Sequence, residues 1–342
     1  MDIVTHAVLG GAFAAGLASL RHSAGAASLG SRRVAAGVGA IAGLLPDADA
    51  LIQSGEDALL VLDYHRHFTH ALAFAPIGAL LAALLLWPLL RRRAGFGWVY
   101  LYSLAGNLLH PLLDACTSYG THLWLPFSQQ KEAWNLIAVV DPLFTLLLMV
   151  PLFLYLRRPT SNAVRWSMLL GAVYLAVGLF QQQRVAAEAV ALATARGHRA
   201  TQHSVKPSFA NLLLWRSLYV YDGRVQVDAF HSGLNVRHYP GESAELLNAA
   251  EAQRVAAGNA QRLRDIERFR AFSDGFIVLD SRYSGFIGDA RYAMQPNAIA
   301  PIWGIEWRGA EAGTDFLSRH DFPPARRSDF FAMLLGRDIS QP

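Results

Sequence analysis

The chain has 342 residues, of which 53% are hydrophobic and only 16% charged, and its mean hydropathy is +0.24. A protein of this length needs more charge than that to cover a water-exposed surface, so a wholly soluble fold is excluded. The formal net charge of +4 is carried almost entirely by scattered arginines, with Lys131 and Lys206 the only lysines, which excludes a nucleic-acid footprint. One cysteine, Cys116, rules out an internal disulfide and reads as a small packing residue.

Apolar residues concentrate before about residue 183 and charged ones after it, which predicts a membrane domain over 1–183 and an extramembrane domain over 184–342. The start of the chain lacks a basic segment and carries His6 within its first apolar stretch, so it is expected to be retained rather than cleaved as a signal peptide. About six stretches approach the roughly 20 residues that cross a bilayer: 3–20, 34–52, 68–90, 98–115, 135–156 and 166–183. Gly10, Gly11 and Gly16 in the first, and Gly39 and Gly43 in the second, predict close helix packing. The basic residues set the orientation. Arg21, Arg32 and Arg33, then Arg91, Arg92 and Arg93, then Arg157, Arg158 and Arg165 all fall in loops on one side of a six-helix bundle, which the positive-inside rule makes cytoplasmic. Both termini and the 53–67 and 116–134 loops then face outward. Trp87, Trp98, Tyr100, Trp124 and Trp134 read as interfacial residues.

Residues 184–197 are expected to continue the last helix out of the membrane. Beyond them, Leu212–Val220 and Val225–His231 read as strands joined at Asp222-Gly223, 243–272 as helix, and Phe276–Ser281 and Trp303–Trp307 as further strands. The fold class expected is a mainly α polytopic membrane bundle followed by a small α+β extramembrane domain.

The ionisable residues of the apolar half then stand out. Asp2 and His6 open helix 1, Asp47 and Asp49 follow Leu45-Pro46 at the end of helix 2, and His65, Arg66, His67 and His70 lead into helix 3. His110 and Asp114 end helix 4, and Asp141 precedes helix 5. In the six-helix reading all lie at one membrane level, where such groups are costly and line functional cavities. Histidine with carboxylate is the ligand set for zinc or manganese. His110 and Asp114 are four apart and share a helix face. Asp47 and Asp49 are placed to bridge two ions, and Pro46 disfavours helix just before them. The metal-ligand candidates are therefore His6, Asp47, Asp49, His65, His70, His110 and Asp114, holding a divalent metal, zinc first and manganese second. Asp141 is a further ligand or a general base. Arg66 is a candidate phosphate clamp or a surface or headgroup-snorkelling arginine, His67 is solvated or outside the ligand set, Thr69 caps helix 3 or bonds a ligand histidine, and Asn107 lies on the His110 face.

These blocks are Asp2…Thr5-His6, Leu45-Pro46-Asp47-x-Asp49, His65-Arg66-x-x-Thr69-His70, His110-x-x-x-Asp114-x-x-Thr117-x-x-Gly120-Thr121 and Asp141-Pro142. Together they resemble the YdjM/YbcI family over roughly residues 1–180. His67 stands where that family usually has a small residue, and Ala71 where it commonly has serine. The resemblance implies a bacterial inner-membrane, metal-dependent hydrolase. A looser resemblance is to the zinc-dependent phospholipase C and nuclease group. It implies ligand roles for His6, one of Asp47 or Asp49, one of His65 or His70, His110 and Asp114, but the group's later His-x-x-x-Glu has no match here. One, two or three metal ions remain open. The substrate this implies is a phosphoester or lipid-like molecule at the outer membrane surface. The rival readings are a divalent-metal transporter or sensor using the same cluster, and a scaffold with a vestigial site. Residues 184–342 carry no chemistry-bearing motif, and the oligomeric state is not assigned.

Overall fold

The computed structural model of the chain describes residues 1–21, 29–158, 163–307, 309 and 313–339. The expected cytoplasmic segments at 21–33 and 157–165 therefore lie partly outside the described residues. Two compact units emerge, with the change between them inside one helix. The first comprises Met1–Leu51, Tyr64–Leu179 and Phe209–Asn211. The second comprises Ile52–Asp63, Phe180–Ser208 and Leu212–Pro342. The 52–63 segment thus groups with the second unit although it lies between two blocks of candidate ligands.

The first unit is helical. Helices α1 (Ile3–Arg21), α2 (Leu29–Ala42), α4 (Ala75–Leu90), α5 (Phe96–Ala115) and α6 (Pro142–Arg157) pack together, and the long α7 (Ala163–Ala195) starts beside them. Two 3₁₀ turns, Pro46–Leu51 and Phe68–His70, carry its polar loops, while the short α3 (Leu60–Tyr64) belongs to the second unit but for its last residue. By length and composition three helical stretches can cross a membrane: Ile3–Leu20, Ser31–Leu51 and Ala163–Ala195. A fourth counts if the pair Leu60–His70 and Ala75–Leu90, bent by 87°, is one broken span. The six stretches expected are reduced for local reasons. The 68–90 stretch is interrupted, with helix only from Ala75, and residues 135–141 are not helical, leaving α6 with 16 residues. In α5 the apolar run is diluted by buried Ser103, Asn107, His110 and Asp114.

The small residues do permit close approach. A Cβ built on Gly10 would lie 2.4 Å from the Gly39 carbonyl oxygen, one on Gly39 2.3 Å from the Gly10 oxygen, and one on Gly106 2.4 Å from the Gly39 oxygen. Helices α1, α2 and α5 therefore meet backbone to backbone at one layer, which no side chain larger than hydrogen can share. Gly16 has no such constraint, its nearest neighbour being Val164 at 4.0 Å. Asn107 ties the same layer, donating to the carbonyls of Ala42 (3.0 Å) and Ser103 (3.2 Å).

The second unit holds two four-stranded antiparallel sheets in simple sequential order. The first runs β1 (Gln202–Pro207), β2 (Leu214–Tyr221), β3 (Arg224–Ser232) and β4 (Val236–Glu245). The expected hairpin at Asp222-Gly223 is there, with both residues at positive φ (48° and 69°), as a two-residue turn of primed type requires. The second sheet contains β5 (Ile277–Leu279), β6 (Ile287–Asp289), β7 (Trp303–Trp307) and β8 (Thr314–Ser318). The helix expected over 243–272 needs correction. Residues 243–245 finish β4, paired with β3, and the remainder is two helices, α8 (Ala249–Ala256) and α9 (Ala260–Phe272). They part where Ala257 and Gly258 turn left-handed, with φ of 50° and 78°. A final helix, α10 (Pro324–Leu334), covers the first sheet through Met333 against Leu214, Ala229 and Tyr239.

Candidate metal centre

The centre is built at one end of α2, α4 and α5. Helix α2 ends into the Pro46 3₁₀ turn, which carries Asp47 and Asp49; the Phe68 3₁₀ turn presents His70, and the last turns of α5 present His110 and Asp114. His70, His110 and Asp114 are buried, while the Asp47 side chain keeps 25% exposure. Asp47, His70, His110 and Asp114 converge as one possible cation group, and Asp47, Asp49 and His65 form a second that shares Asp47.

Hydrogen bonding fixes which face each imidazole turns inward. The Nδ1 of His110 donates to the Gly43 carbonyl oxygen at 2.6 Å, which turns Nε2 toward the centre. His70 places Nδ1 3.1 Å from Asp49 Oδ2 and 3.0 Å from Thr69 Oγ1, which likewise turns Nε2 inward. These two Nε2 atoms face each other at 2.9 Å. Asp114 Oδ2 lies 3.2 Å from His70 Nε2 and 3.4 Å from His110 Nε2, and Asp47 Oδ1 lies 3.5 Å and 3.4 Å from the same atoms. Two imidazole nitrogens and two carboxylate oxygens converge here, and Asp114 Oδ2 is buried without a hydrogen-bond donor; with both rings neutral these groups would repel. A metal ion bound among them would relieve that repulsion and give Asp114 Oδ2 a partner. Donors 2.0–2.2 Å from a tetrahedral zinc ion are separated from each other by about 3.3–3.6 Å, so the carboxylate–imidazole spacings fit and only the imidazole pair is tighter.

The surrounding groups orient these four. Asp49 receives the Thr69 hydroxyl (2.6 Å) and the Arg66 backbone N–H (3.0 Å) on Oδ2, and lies 2.8 Å from His65 Nδ1 through Oδ1. Arg66 is held at φ 63°, a conformation rare for a side-chain-bearing residue. Its buried guanidinium donates to Thr117 Oγ1 (2.9 Å), pairs with Asp114 Oδ1 (3.0 Å) and lies over the Tyr119 ring. Thr117 in turn donates to the Asp114 carbonyl at 2.7 Å. His6 sits behind this layer, stacked on His110 at 3.6 Å with Nε2 3.2 Å from Asp114 Oδ1. The Met1 amino group pairs with the same Asp114 oxygen.

Of the candidate ligands, Asp47, Asp49, His65, His70, His110 and Asp114 come together in the two groups; His6 reaches Asp114 but belongs to neither. Asp141 is also in neither group. One of its oxygens caps α6 by accepting from Phe144 N–H (3.0 Å) and the other accepts from the Tyr174 hydroxyl (2.8 Å). His67 turns to His122, ring centroids 4.9 Å apart, outside both groups. Asn107 pins helices one turn below His110. Sequence reasoning quoted Thr117 within the His110 motif block without giving it a role, and passed over Tyr119.

The profile of the YdjM inner membrane protein family matches residues 1–185, the part of the chain that contains every residue of the centre. The chain is also 30% identical over 143 residues to an uncharacterized protein, YfhP, of Bacillus subtilis (strain 168), a similarity spanning 42% of the length of each chain. No solved structure gives a match. With the family profile covering more than half of its length, the chain belongs to the YdjM inner membrane protein family.

Proposed function

We propose that this protein is a membrane-bound, metal-dependent hydrolase acting on a phosphoester or lipid-like substrate at the outer face of the cytoplasmic membrane. The observation that carries the reading is the opposition of His70 Nε2, His110 Nε2, Asp47 Oδ1 and Asp114 Oδ2 at spacings that suit a zinc-sized cation. Those four residues would hold the ion, and Asp49 with His65 would hold a second one sharing Asp47. When bound, such a cation supplies Lewis acidity and activates a nucleophile near neutral pH.

The chain's own residues then do the following. Gly43 and Asp49 keep the His110 and His70 rings in their binding tautomers. Arg66 restrains Asp114 through Oδ1, leaving Oδ2 turned inward. The guanidinium nitrogen Nε of Arg66 is buried without an acceptor, so it is the donor left for the charge that builds on a phosphoryl oxygen. Asp47 and His65, whose side chains are about a quarter exposed, form the side by which substrate enters. Asp141, with both oxygens engaged, is assigned to anchoring α6.

We also carry the full six-span topology into this reading, with the arginine loops cytoplasmic and the C-terminal unit outside. A cysteine at Ala94 should be shielded from impermeant reagents in intact cells and one at Ser281 labelled; the reverse pattern would overturn it. The test of the chemistry is elemental analysis of purified full-length protein followed by a phospholipid and chromogenic phosphoester panel. Stoichiometric zinc or manganese with metal-dependent turnover is expected. Metal-free protein, or metal with uptake into proteoliposomes and no turnover, would refute the hydrolase.

A further inference from the structure

Helix α7 links a lipid-like segment to the second unit without a break. Ala163–Phe180 has one charged residue, Arg165, in its first turn, and beyond Ser167 it is apolar but for Tyr174; Val173, Val177, Leu179 and Phe180 are exposed, and the 18 residues span roughly 27 Å, close to the thickness of a bilayer's hydrocarbon core. A continuous polar run, Gln181–Arg184, follows. This first polar turn grips the β3–β4 loop. Gln181 Nε2 donates to the Ser232 carbonyl (2.7 Å) and its Oε1 accepts from the Ser232 hydroxyl (2.9 Å). Arg184 donates to the carbonyls of Gly233 (2.7 Å) and Leu234 (2.5 Å). The loop is therefore fixed within about one helical turn of the point where α7 stops being apolar.

The residues at this rim are the wrong kind for water. Leu234 is 98% exposed at the loop tip, and Leu213, whose carbonyl accepts from Ser232 N–H, is 44% exposed. The end of α10 adjoins them. Gly233 and Gly336 both lie against the His231 ring, and Leu335 and Phe331, one turn apart on α10, are 61% and 58% exposed. The opposite end of the same sheet closes with the polar turn Asp222-Gly223, flanked by the exposed pair Arg224 and Glu245. One end of this sheet carries exposed apolar residues beside the Arg237–Asp338 pair and the other a polar turn, and the first is the end bonded to Gln181 and Arg184 of α7.

We propose that this rim, Leu213, Leu234, Phe331 and Leu335, is seated in the interfacial layer of the bilayer that α7 spans. Its partner is lipid. Burying exposed leucine and phenylalanine among acyl chains is favourable in proportion to the area removed from water; Arg237, which donates to the Gly336 carbonyl at 2.7 Å and pairs with Asp338, would then lie among the headgroups. The second unit then rests on the membrane at two places, the α7 stem and this rim.

The proposal rests on α7 being a span, independently of any hydrolysis. The experiment places a nitroxide label at Leu234→Cys in the full-length protein, in nanodiscs of phosphatidylethanolamine and phosphatidylglycerol, and measures collision with oxygen and with a water-soluble nickel chelate. Val173→Cys and Ser281→Cys are the lipid and water references; native Cys116 is 7% exposed and takes up little label. The expected result is an oxygen-to-nickel ratio at residue 234 several-fold above that at 281 and approaching that at 173. A ratio at 234 equal to that at 281 overturns the proposal. So does spin–spin broadening at 234, which would mean that a second copy of the chain covers the rim. A water-like ratio at 173 would overturn the span itself, and the proposal with it.

Discussion

Both units bury charge, and they do so in opposite ways. In the second unit the buried arginines Arg216 and Arg291 and the buried Asp228 are settled nearby. Arg216 donates to the carbonyls of Pro296, Ala298 and Ala290, and Arg291 to Asp289, Asp274 and the Phe272 carbonyl. Asp228 is shared by Arg196 and His238. In the first unit two imidazoles and two carboxylates are turned toward one another at the level of His70 and His110. Burial alone therefore does not mark a site. A convergence of ligating groups that the protein leaves unresolved does, because it costs stability until a cation arrives.

The sharpest way to break this contrast is at the centre. Asp114→Asn keeps the shape but removes the charge, and His110→Ala removes a donor. Each should abolish stoichiometric metal and lower turnover beyond the roughly 100-fold that an orienting residue accounts for. Bound metal by elemental analysis beside phosphoester hydrolysis is the measurement. Wild-type values in both would reduce the pair to a structural role. A step smaller, Asp49→Asn should weaken the hold on His70 and His65, costing about 10–100-fold in metal affinity while leaving insertion intact. An unchanged affinity in a metal titration would remove Asp49 from the centre.

The second unit offers its own exception. The Lys206 ammonium is buried without a hydrogen-bond partner, lying 3.2 Å from the Tyr292 ring centroid. Burial, and then Arg291, hold its pKa well below the usual lysine range. Folding therefore favours the neutral amine, whereas the unfolded chain binds a proton up to about pH 10.4. Stability should rise with pH between the depressed folded value and that limit. Lys206→Met should flatten the rise and stabilise the protein by about 1–3 kcal/mol at neutral pH. Thermal unfolding of both proteins across pH 7–10 tests it; a less stable variant would mean that the charge is compensated. The smallest effect concerns Arg268, which donates to Asp57 (3.0 Å) and Asp63 (2.6 Å) in the segment between Asp49 and His65. These partners are partly exposed, so Arg268→Ala should cost under about 1 kcal/mol, read as faster hydrogen exchange over residues 52–63. Exchange as slow as in the wild type would show the clamp to be idle.

The contrast was partly legible beforehand. His110 and Asp114 are four apart, and that spacing alone puts them on one face. His70 and Asp47 were identifiable because ionisable residues are rare in apolar sequence. The hairpin at Asp222-Gly223 was legible because few residue pairs accept positive φ in succession. Asp141 was not: a carboxylate before proline reads equally as cap or ligand, and only the Tyr174 hydroxyl, 33 residues on, shows both oxygens engaged. The 243–272 segment misled because helical composition continues through Ala257-Gly258, and because pairing with β3 outweighs local preference at 243–245. The span count suffered from the same polar residues that reveal the centre, since they dilute α5.

The contact of Gly10, Gly39 and Gly106 reaches further than packing. Gly106 stands one turn before His110, and Gly39 one turn before Gly43, whose carbonyl oxygen holds the His110 ring. The distance across the centre is thus gauged by three hydrogens where side chains would otherwise be. A methyl group at Gly39 would wedge α1 and α5 away from α2 and widen the ring of donors, so the protein would begin to prefer a larger ion over a smaller one. The ratio of zinc to manganese retained by Gly39→Ala would read that gauge directly, and an unchanged ratio would show that the loops absorb the strain. In such a centre, selectivity for a metal is written in residues that never touch it.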